Sequence, residues 1–290
     1  MIISRITSGL GNQLFQYAVA RHLSLKNKTP LYVDLSYYLQ SYSDDTVRNF
    51  KLGNFSVPYH TLQQSPLEYV SKATKLLPNR SLRPFFLFLK EKQFHFDEQI
   101  LRAQAGCVIM EGFWQSEAYF RDSAEMIRRD LQLNGVPSLE FNKYKQLIQD
   151  SPTPVSIHVR RGDYVNHPEF SKTFGFIGID YYKQAINLAK KALNDPHFFV
   201  FSDDKEWSQT NLPLPDNSVF VQNTGPNGDV ADLMLMSHCQ HHIIANSSFS
   251  WWGAWLNPNA DKLVVAPKNW YKDKPTWNTK DLIPSTWLSI

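Results

Sequence analysis

Little in this chain invites a disulfide, a bilayer or a nucleic acid. Its 290 residues include 2 cysteines, Cys107 and Cys239, far apart and without a CxxC partner, which argues against both a disulfide framework and a thiolate zinc site. Isolated thiols fit a reducing compartment. No apolar stretch reaches membrane-spanning length, and Met1-Ile2-Ile3-Ser4-Arg5 opens into strand-like sequence without an apolar signal core. The expected location is therefore the cytoplasm. A dense basic block is missing too, since the net charge of +3 and the pI near 8.7 come from scattered Lys and Arg. Nucleic acid is not the expected partner. The slight positive excess suits an anionic small ligand or a membrane surface equally well, so a peripheral seat at the inner membrane stays open.

What is present fills a real core. The hydrophobic content is 42%, enough for one large or two modest domains. Ile2 to Thr7 reads as a strand, Ser8-Gly9-Leu10-Gly11 as a turn, and Leu14, Phe15, Ala18 and Val19 recur at helical spacing before a second strand, Leu31 to Asp34. That is the opening of a doubly wound parallel domain. The segment from Gln40 to Gln104 is hard to read, and its run Pro84 to Leu89 is expected to pack as a helix or to cover a groove. Cys107 to Met110 suits a strand and Tyr119 to Leu131 a helix, followed by a polar connection.

Two prolines in Ser151-Pro152-Thr153-Pro154 suggest a boundary, with domains at 1–150 and 151–290. Beyond it the alternation is regular: strand Val155 to Val159, helix Tyr181 to Leu193, strands Phe198 to Phe201 and Val219 to Val221, helix Val230 to Cys239, strand His242 to Ala245, helix Phe249 to Leu256, strand Leu263 to Ala266. This predicts an α/β fold of two Rossmann-like domains facing across a cleft.

Three stretches could carry chemistry. In Val155 to Tyr164 the apolar Val155, Ile157 and Val159 alternate with Ser156, His158 and Arg160, so His158 and Arg160 share one strand face near its C-terminal end. Parallel sheets bind ligands at that end, where arginine can grip a phosphate through two parallel hydrogen bonds. Gly162 lets the backbone pass close to a ligand. Alternatively, Arg160 or Arg161 pairs with Asp163 as an ordinary loop ion pair. The strand Phe198 to Phe201 ends in Ser202-Asp203-Asp204; one carboxylate could accept from the N1–H and 2-amino group of guanine, while the competing role is a helix N-cap. Finally, Asn246-Ser247-Ser248-Phe249-Ser250 begins a helix, where free N–H groups, hydroxyls and the helix dipole can hold a diphosphate. Trp251, Trp252 and Trp255 fit core or groove wall better than a cofactor box.

Further absences narrow the chemistry. No Asp-x-Asp triplet occurs, so the paired carboxylates that carry Mg or Mn in many sugar-nucleotide transferases are missing. No metal or other cofactor is expected. His238, His241 and His242 lack Cys or Glu partners at ligand spacing. Gly9-Leu10-Gly11-Asn12-Gln13-Leu14 matches the dinucleotide fingerprint only at its first two glycines, and no Lys-Ser/Thr pair follows as a P-loop needs. That turn either presents Asn12 and Gln13 to a sugar or simply packs strand on helix.

Taken together, Gly9 to Ala18, Gly112 to Glu117 with Tyr119-Phe120, His158 to Tyr164, Phe201 to Asp204 and Asn246 to Ala254 resemble the bacterial α-1,2-fucosyltransferases of glycosyltransferase family 11. His158-Val159-Arg160-Arg161 with Asp163 also looks like a donor motif shared by α-1,2-, α-1,6- and protein O-fucosyltransferases. The resemblance implies a GT-B fold with an N-terminal acceptor side and a C-terminal GDP-fucose side. It implies inverting transfer of L-fucose from GDP-β-L-fucose to the 2-hydroxyl of a terminal β-galactoside. Arg160 would hold the β-phosphate, His158 with Asp203 or Asp204 would read guanine, and Ser247, Ser248 and Ser250 would bind phosphate, with Arg161, Asn246 and Phe249 in the same pocket. Asp163 fits the acceptor base by proximity, and Glu111 and Asp34 are N-terminal alternatives. A GDP-sugar binder without turnover and a fucosyltransferase of other linkage or protein acceptor are the competing readings.

Overall fold

A computed structural model describes residues 1–39, 48–64, 85–272 and 277–290. The chain divides into two compact units, Met1–Gly135 with Asn278–Leu282, and Val136–Trp277 with Ile283–Ile290. Each unit carries its own parallel sheet.

In the first unit, β1 (Ile2–Arg5), α1 (Leu10–Asn27) and β2 (Leu31–Asp34) follow the expected order, then β3 (His60–Thr61), β4 (Phe86–Lys90), α2 (Glu98–Leu101), β5 (Cys107–Glu111) and α3 (Ala124–Asp130). The sheet order is β3-β2-β1-β5-β4. Every pair is parallel. The chain winds outward from β1 through β3, crosses to the far edge at β4 and returns as β5 against β1. Strand order therefore reverses between β1 and β5, the place where open α/β sheets form a ligand crevice. Leu14, Phe15, Tyr17 and Ala18 of α1 are fully buried, and α1 stops at Lys28, whose φ of 50° is left-handed.

Two expectations fail in this unit. The apolar run after Pro84, itself outside the described residues, is the strand β4 and not a helix. It pairs with β5 along its whole length, from Phe86↔Cys107 to Lys90↔Glu111. Its Phe86 and Phe88 pack with Ile3, Leu62, Cys107 and Ile109, so the period of two decides over length and hydrophobicity. The helix expected from Tyr119 to Leu131 is broken into two 3₁₀ turns, Glu117–Tyr119 and Arg121–Ser123, before α3. Phe120 between them sits at φ −141°, ψ 12°, off the helical basin. It is wholly buried, with its ring 6.1 Å from that of Phe15.

The second unit holds α4 (Leu139–Asp150), β6 (Pro154–Val159), α5 (Gly162–Asn166), α6 (Pro168–Thr173), α7 (Ile179–Ala192), β7 (His197–Ser202), α8 (Lys205–Asn211), β8 (Val219–Phe220), α9 (Gly228–His238), β9 (His241–Ile243), α10 (Ser248–Leu256), β10 (Val264–Ala266) and β11 (Leu288–Ser289). Its sheet runs β11-β10-β9-β6-β7-β8, again wholly parallel. Read from the other edge, this is the dinucleotide-domain order 3-2-1-4-5-6, with its switch point between β6 and β9. All of β6 is buried, as a central strand covered on both faces requires. Val155, Ile157 and Val159 pack with Tyr182, Ala185, Ile186 and Ala189 of α7.

The unit boundary also differs from the expected Ser151 to Pro154. What reads as a polar connection contains α4, capped by Ser138, whose Oγ accepts from the Phe141 N–H at 3.1 Å. Only Phe141 and Ile148 of α4 are buried, a narrow apolar stripe that hides the helix in the sequence. It packs against α9 in the second unit. Among the described residues no helix is long and apolar enough to cross a membrane.

Helices α9 and α10 meet closely because Gly253 has no side chain. A Cβ there would stand 2.9 Å from Met236 Cβ. Gly253→Ala should therefore destabilise the second unit by about 1–3 kcal/mol through overpacking, read as a lower urea midpoint. An unchanged midpoint would show that the helices separate freely.

Candidate active site

Three adjacent strands of the second unit, β9, β6 and β7, end at one edge, in register at Ile157↔Ile243 and Val159↔Ser202. The three sequence stretches singled out for chemistry leave the sheet from these ends, so the topology brings them together at and beside the switch point.

At the tip of β6, Arg160 Nη1 lies 2.9 Å from Asp203 Oδ2 at the tip of β7. The other oxygen of that carboxylate accepts from the Arg161 backbone N–H at 2.8 Å. Both side chains of the pair keep about a quarter of their surface in solvent, 23% and 25%. Gly162 leaves room for this arrangement, since a Cβ would stand a tight 3.1 Å from Asp203 Oδ2.

Arg161 and Asp204 form a second ion pair. Asp204 also caps α8, accepting from the Trp207 N–H at 3.1 Å, so the N-cap role foreseen for one acid falls to Asp204. The Arg161 guanidinium lies 5.1 Å from the Trp207 ring centroid. Arg161 and Asp204 thereby brace the start of α8, while Arg160 and Asp203 join the tips of β6 and β7. Asp163 lies in the first turn of α5; its side chain falls outside the described residues.

His158 is 5% exposed. Its ring lies 5.3 Å from that of Phe249 on α10, tilted by 49°, which joins the first stretch to the third. Its Nδ1 is buried without a hydrogen-bond partner among the described residues. Burial, and then the neighbouring Arg160 charge, push its pKa from 6.5 down to about 3. The imidazole is neutral and can exchange hydrogen bonds with a ligand without bringing charge. Arg160 is also tied towards the third stretch, since its guanidinium lies 5.7 Å from the Tyr164 ring and the Tyr164 hydroxyl donates to the Asn246 carbonyl at 3.1 Å.

The third stretch divides its labour. Asn246 Nδ2 donates to the carbonyls of Phe174, Gly175 and Trp270 at 3.1–3.3 Å, a staple that fixes the turn. Ser250 Oγ is turned to the carbonyls of Ala245 and Ser247 at 3.4 and 3.3 Å. Ser247 is the N-cap of α10, yet its side chain makes no capping bond, and Ser248 is half-buried. Ser247, Ser248 and the first-turn N–H groups are therefore the donors on offer here. Trp251, Trp252 and Trp255 are core.

Other expected residues take structural work. Gln13 is wholly buried, donating to the carbonyls of Ser8 and Asn49 at 3.0 and 2.9 Å and accepting from the Lys51 N–H at 2.8 Å. Its polar atoms hold a loop to α1, which is the packing alternative. Asn12 Oδ1 accepts from Gln115 Nε2 at 2.7 Å. Of the histidines, His242 Nδ1 lies 2.8 Å from Ser156 Oγ and His241 Nδ1 accepts from the Leu263 N–H at 2.9 Å.

Two features escape the sequence reading. Asp232 on α9 accepts from Asn223 Nδ2 at 2.6 Å, and burial raises its pKa to about 7. It sits mid-helix, where nothing local marks it. The second is a cavity of about 440 Å³ in the first unit, lined among others by Arg5, Asp34, Lys90, Glu111, Tyr37 and Phe113. Strands Ile2–Arg5, Leu31–Asp34 and Cys107–Glu111 each end in a charge at the ligand edge, a signal present in the sequence.

The family model for glycosyl transferase family 11 matches residues 1–290. The chain is 32% identical to the O-antigen biosynthesis glycosyltransferase WbnK of Escherichia coli, over 99% of each chain. It is also 32% identical to an alpha-1,2-colitosyltransferase of Escherichia coli, over 100% of this chain and 99% of that one. In fold it is similar to the NodZ alpha-1,6-fucosyltransferase co-crystallized with GDP (17% identity, 89% of this chain and 92% of that one, TM-score 0.55); NodZ is a Bradyrhizobium protein. The likeness extends over both parallel-sheet units, and the α/β fold is of the GT-B type.

The buried neutral His158 has a consequence for stability. Between pH 6.5 and 3 an unfolded chain binds a proton at this imidazole that the folded chain refuses. Its contribution is therefore complete above pH 6.5 and is lost as the pH falls, by up to about 1.4 kcal/mol per pH unit. Urea unfolding at pH 7 and pH 5 should show a drop that His158→Gln reduces by close to one proton. An equal drop in the variant would mean that His158 is not held neutral.

Proposed function

Because the chain belongs to glycosyl transferase family 11, we propose that it moves L-fucose from GDP-β-L-fucose to the 2-hydroxyl of a terminal β-galactoside. The product is α-linked and the configuration inverts. The observation that carries this reading is that Arg160 at the tip of β6 and the N-terminus of α10 after β9 flank the switch point of the second sheet, linked through Tyr164, whose ring lies under Arg160 and whose hydroxyl donates to the Asn246 carbonyl. A pyrophosphate there meets a guanidinium on one side and the N–H groups and hydroxyls of Ser247 and Ser248 on the other.

In the reaction the acceptor oxygen bonds to C1 of fucose as the bond from C1 to the β-phosphate oxygen breaks. The bonding electrons leave with GDP, and the hydroxyl proton passes to a base. The negative charge that grows on the leaving oxygen is stabilised by Arg160 and the helix terminus, which are already oriented by Asp203 and by the fold. This supports a mechanism independent of divalent metal. His158, neutral and joined to Phe249, lies beside Arg160 as a reader of the guanosine moiety, with Asp203 as its carboxylate partner. Asp163, one residue after Gly162, is the proposed base, with Glu111 and Asp34 as alternatives.

The alpha-1,2-colitosyltransferase among the relatives favours a second donor, since colitose is fucose without its 3-hydroxyl. The α-1,2 linkage is common to both readings. GDP-fucose and GDP-colitose assayed against β-galactosides, with linkage analysis of the product, separate them.

Arg160→Lys should lower kcat by about 10²–10³-fold, because an ammonium cannot make two parallel bonds to a phosphate. Wild-type turnover should survive EDTA. Near-normal turnover of the lysine variant, or activity lost to EDTA and restored by manganese, would overturn this mechanism. GDP binding without acceptor-dependent GDP release would instead mark a binding protein.

A further inference from the structure

An ion pair holds one edge of a guanidinium and leaves its plane free to tilt. Asp203 takes the edge of Arg160, with Nη1 at 2.9 Å. A different side chain meets the face. The Arg160 guanidinium carbon lies over the Tyr164 ring, 5.7 Å from its centroid, within reach of a cation–π contact. Tyr164 is itself stacked on Phe174, parallel to within 8° and with ring centroids 5.3 Å apart. Tyr271 extends the cluster, its ring 5.4 Å from that of Phe174.

Tyr164 lies in α5, a helix of 5 residues, too short to hold its own conformation. Tertiary contacts therefore set its position. Its hydroxyl donates to the Asn246 carbonyl at 3.1 Å, and the Asn246 amide donates to the carbonyls of Phe174 and Gly175 at 3.2 and 3.3 Å. These contacts close a circuit: Tyr164 ring to Phe174 ring, Phe174 carbonyl to Asn246 amide, Asn246 carbonyl back to the Tyr164 hydroxyl. Asn246 directly precedes Ser247, the N-cap of α10. The circuit thus joins the guanidinium at the tip of β6 to the first turn of α10.

We infer that Tyr164 is a positioning residue for phosphate binding: its ring sets the plane of the Arg160 guanidinium, and its hydroxyl keeps that plane aligned with the N-terminal turn of α10. It acts through Arg160. A guanidinium donates within its own plane, so the tilt decides whether two of its N–H groups reach one phosphate in parallel. The N–H groups at the start of α10 are fixed by the backbone, so one diphosphate satisfies both elements only if their mutual orientation is set. This rests on the donor reading given above and names the residue that orients it.

GDP and GMP differ by the β-phosphate, so calorimetry with each on the full chain reads that group's contribution. Tyr164→Leu should weaken GDP about fivefold or more and leave GMP within about twofold of wild type. It should also lower kcat about tenfold or more with the acceptor KM unchanged, because charge on the leaving oxygen grows in the transition state. Tyr164→Phe keeps the stack and gives up the hydroxyl; its GDP affinity should fall by only about twofold. In an Arg160→Ala background no guanidinium remains to be oriented, and Tyr164→Leu should then change GDP affinity by less than about twofold. Equal weakening of GDP and GMP, a phenylalanine variant as impaired as the leucine variant, or a full effect of Tyr164→Leu without Arg160 would overturn the inference. Should Tyr164→Leu fail to fold, Phe174→Leu, which leaves Tyr164 without its stacking partner, is read by the same ratio of GDP to GMP affinity, and an unchanged ratio again overturns it. A wild type that binds GDP no more tightly than GMP strikes the phosphate reading and this inference with it. A wild type that prefers GDP, with the preference intact in Tyr164→Leu, strikes this inference alone.

Discussion

An arginine fixed at the end of a parallel strand is the constraint on which the second unit depends. A free Arg160 would have many rotamers and would lose that freedom on meeting a phosphate. The structure removes this cost beforehand: Asp203 takes Nη1 at 2.9 Å and is itself held by the Arg161 N–H. One carboxylate accepts from a side chain and a backbone group of consecutive residues, so strand tip and guanidinium are oriented together.

The surrounding residues serve that orientation. Arg161 and Asp204 look like a duplicate of the Arg160 pair, yet they anchor α8 through the Trp207 N–H. Asn246 ties the turn before α10 to three carbonyls, which sets the aim of the helix terminus. His158 stays neutral because it is buried beside the Arg160 charge, and the burial that lowers its pKa also strengthens hydrogen bonds made there. The first unit uses the same topological device differently. Its strand ends alternate acid and base, Asp34, Arg5, Glu111 and Lys90, whereas the second unit sets the Arg160–Asp203 pair at its strand tips and a helix N-terminus after β9.

Much of this was legible in the residues, and the failures have physical causes. Alternation in Val155 to Arg160 correctly placed His158 and Arg160 near a strand tip, and regular β/α alternation gave the second sheet. Phe86 to Lys90 was misread because a short apolar run without polar alternation looks alike as a buried strand or helix. Helix α4 was lost because only two of its side chains are buried. Gln13 was a fair candidate for a sugar contact until its amide proved to be spent on three backbone groups. Amide side chains carry no local mark of whether they face a ligand or a loop.

By itself the sequence determined which chemical groups stand at which strand ends, because a period of two and a following glycine or serine are local properties. It also determined the family, through motifs in fixed order. Tertiary structure alone decided the partners. Arg160 meets Asp203 across 43 positions, as their neighbours Arg161 and Asp204 also do, and Arg5 meets Glu111 across 106 positions. Such contacts depend on strand order in a sheet, which follows from how crossovers wind and not from any residue's neighbours.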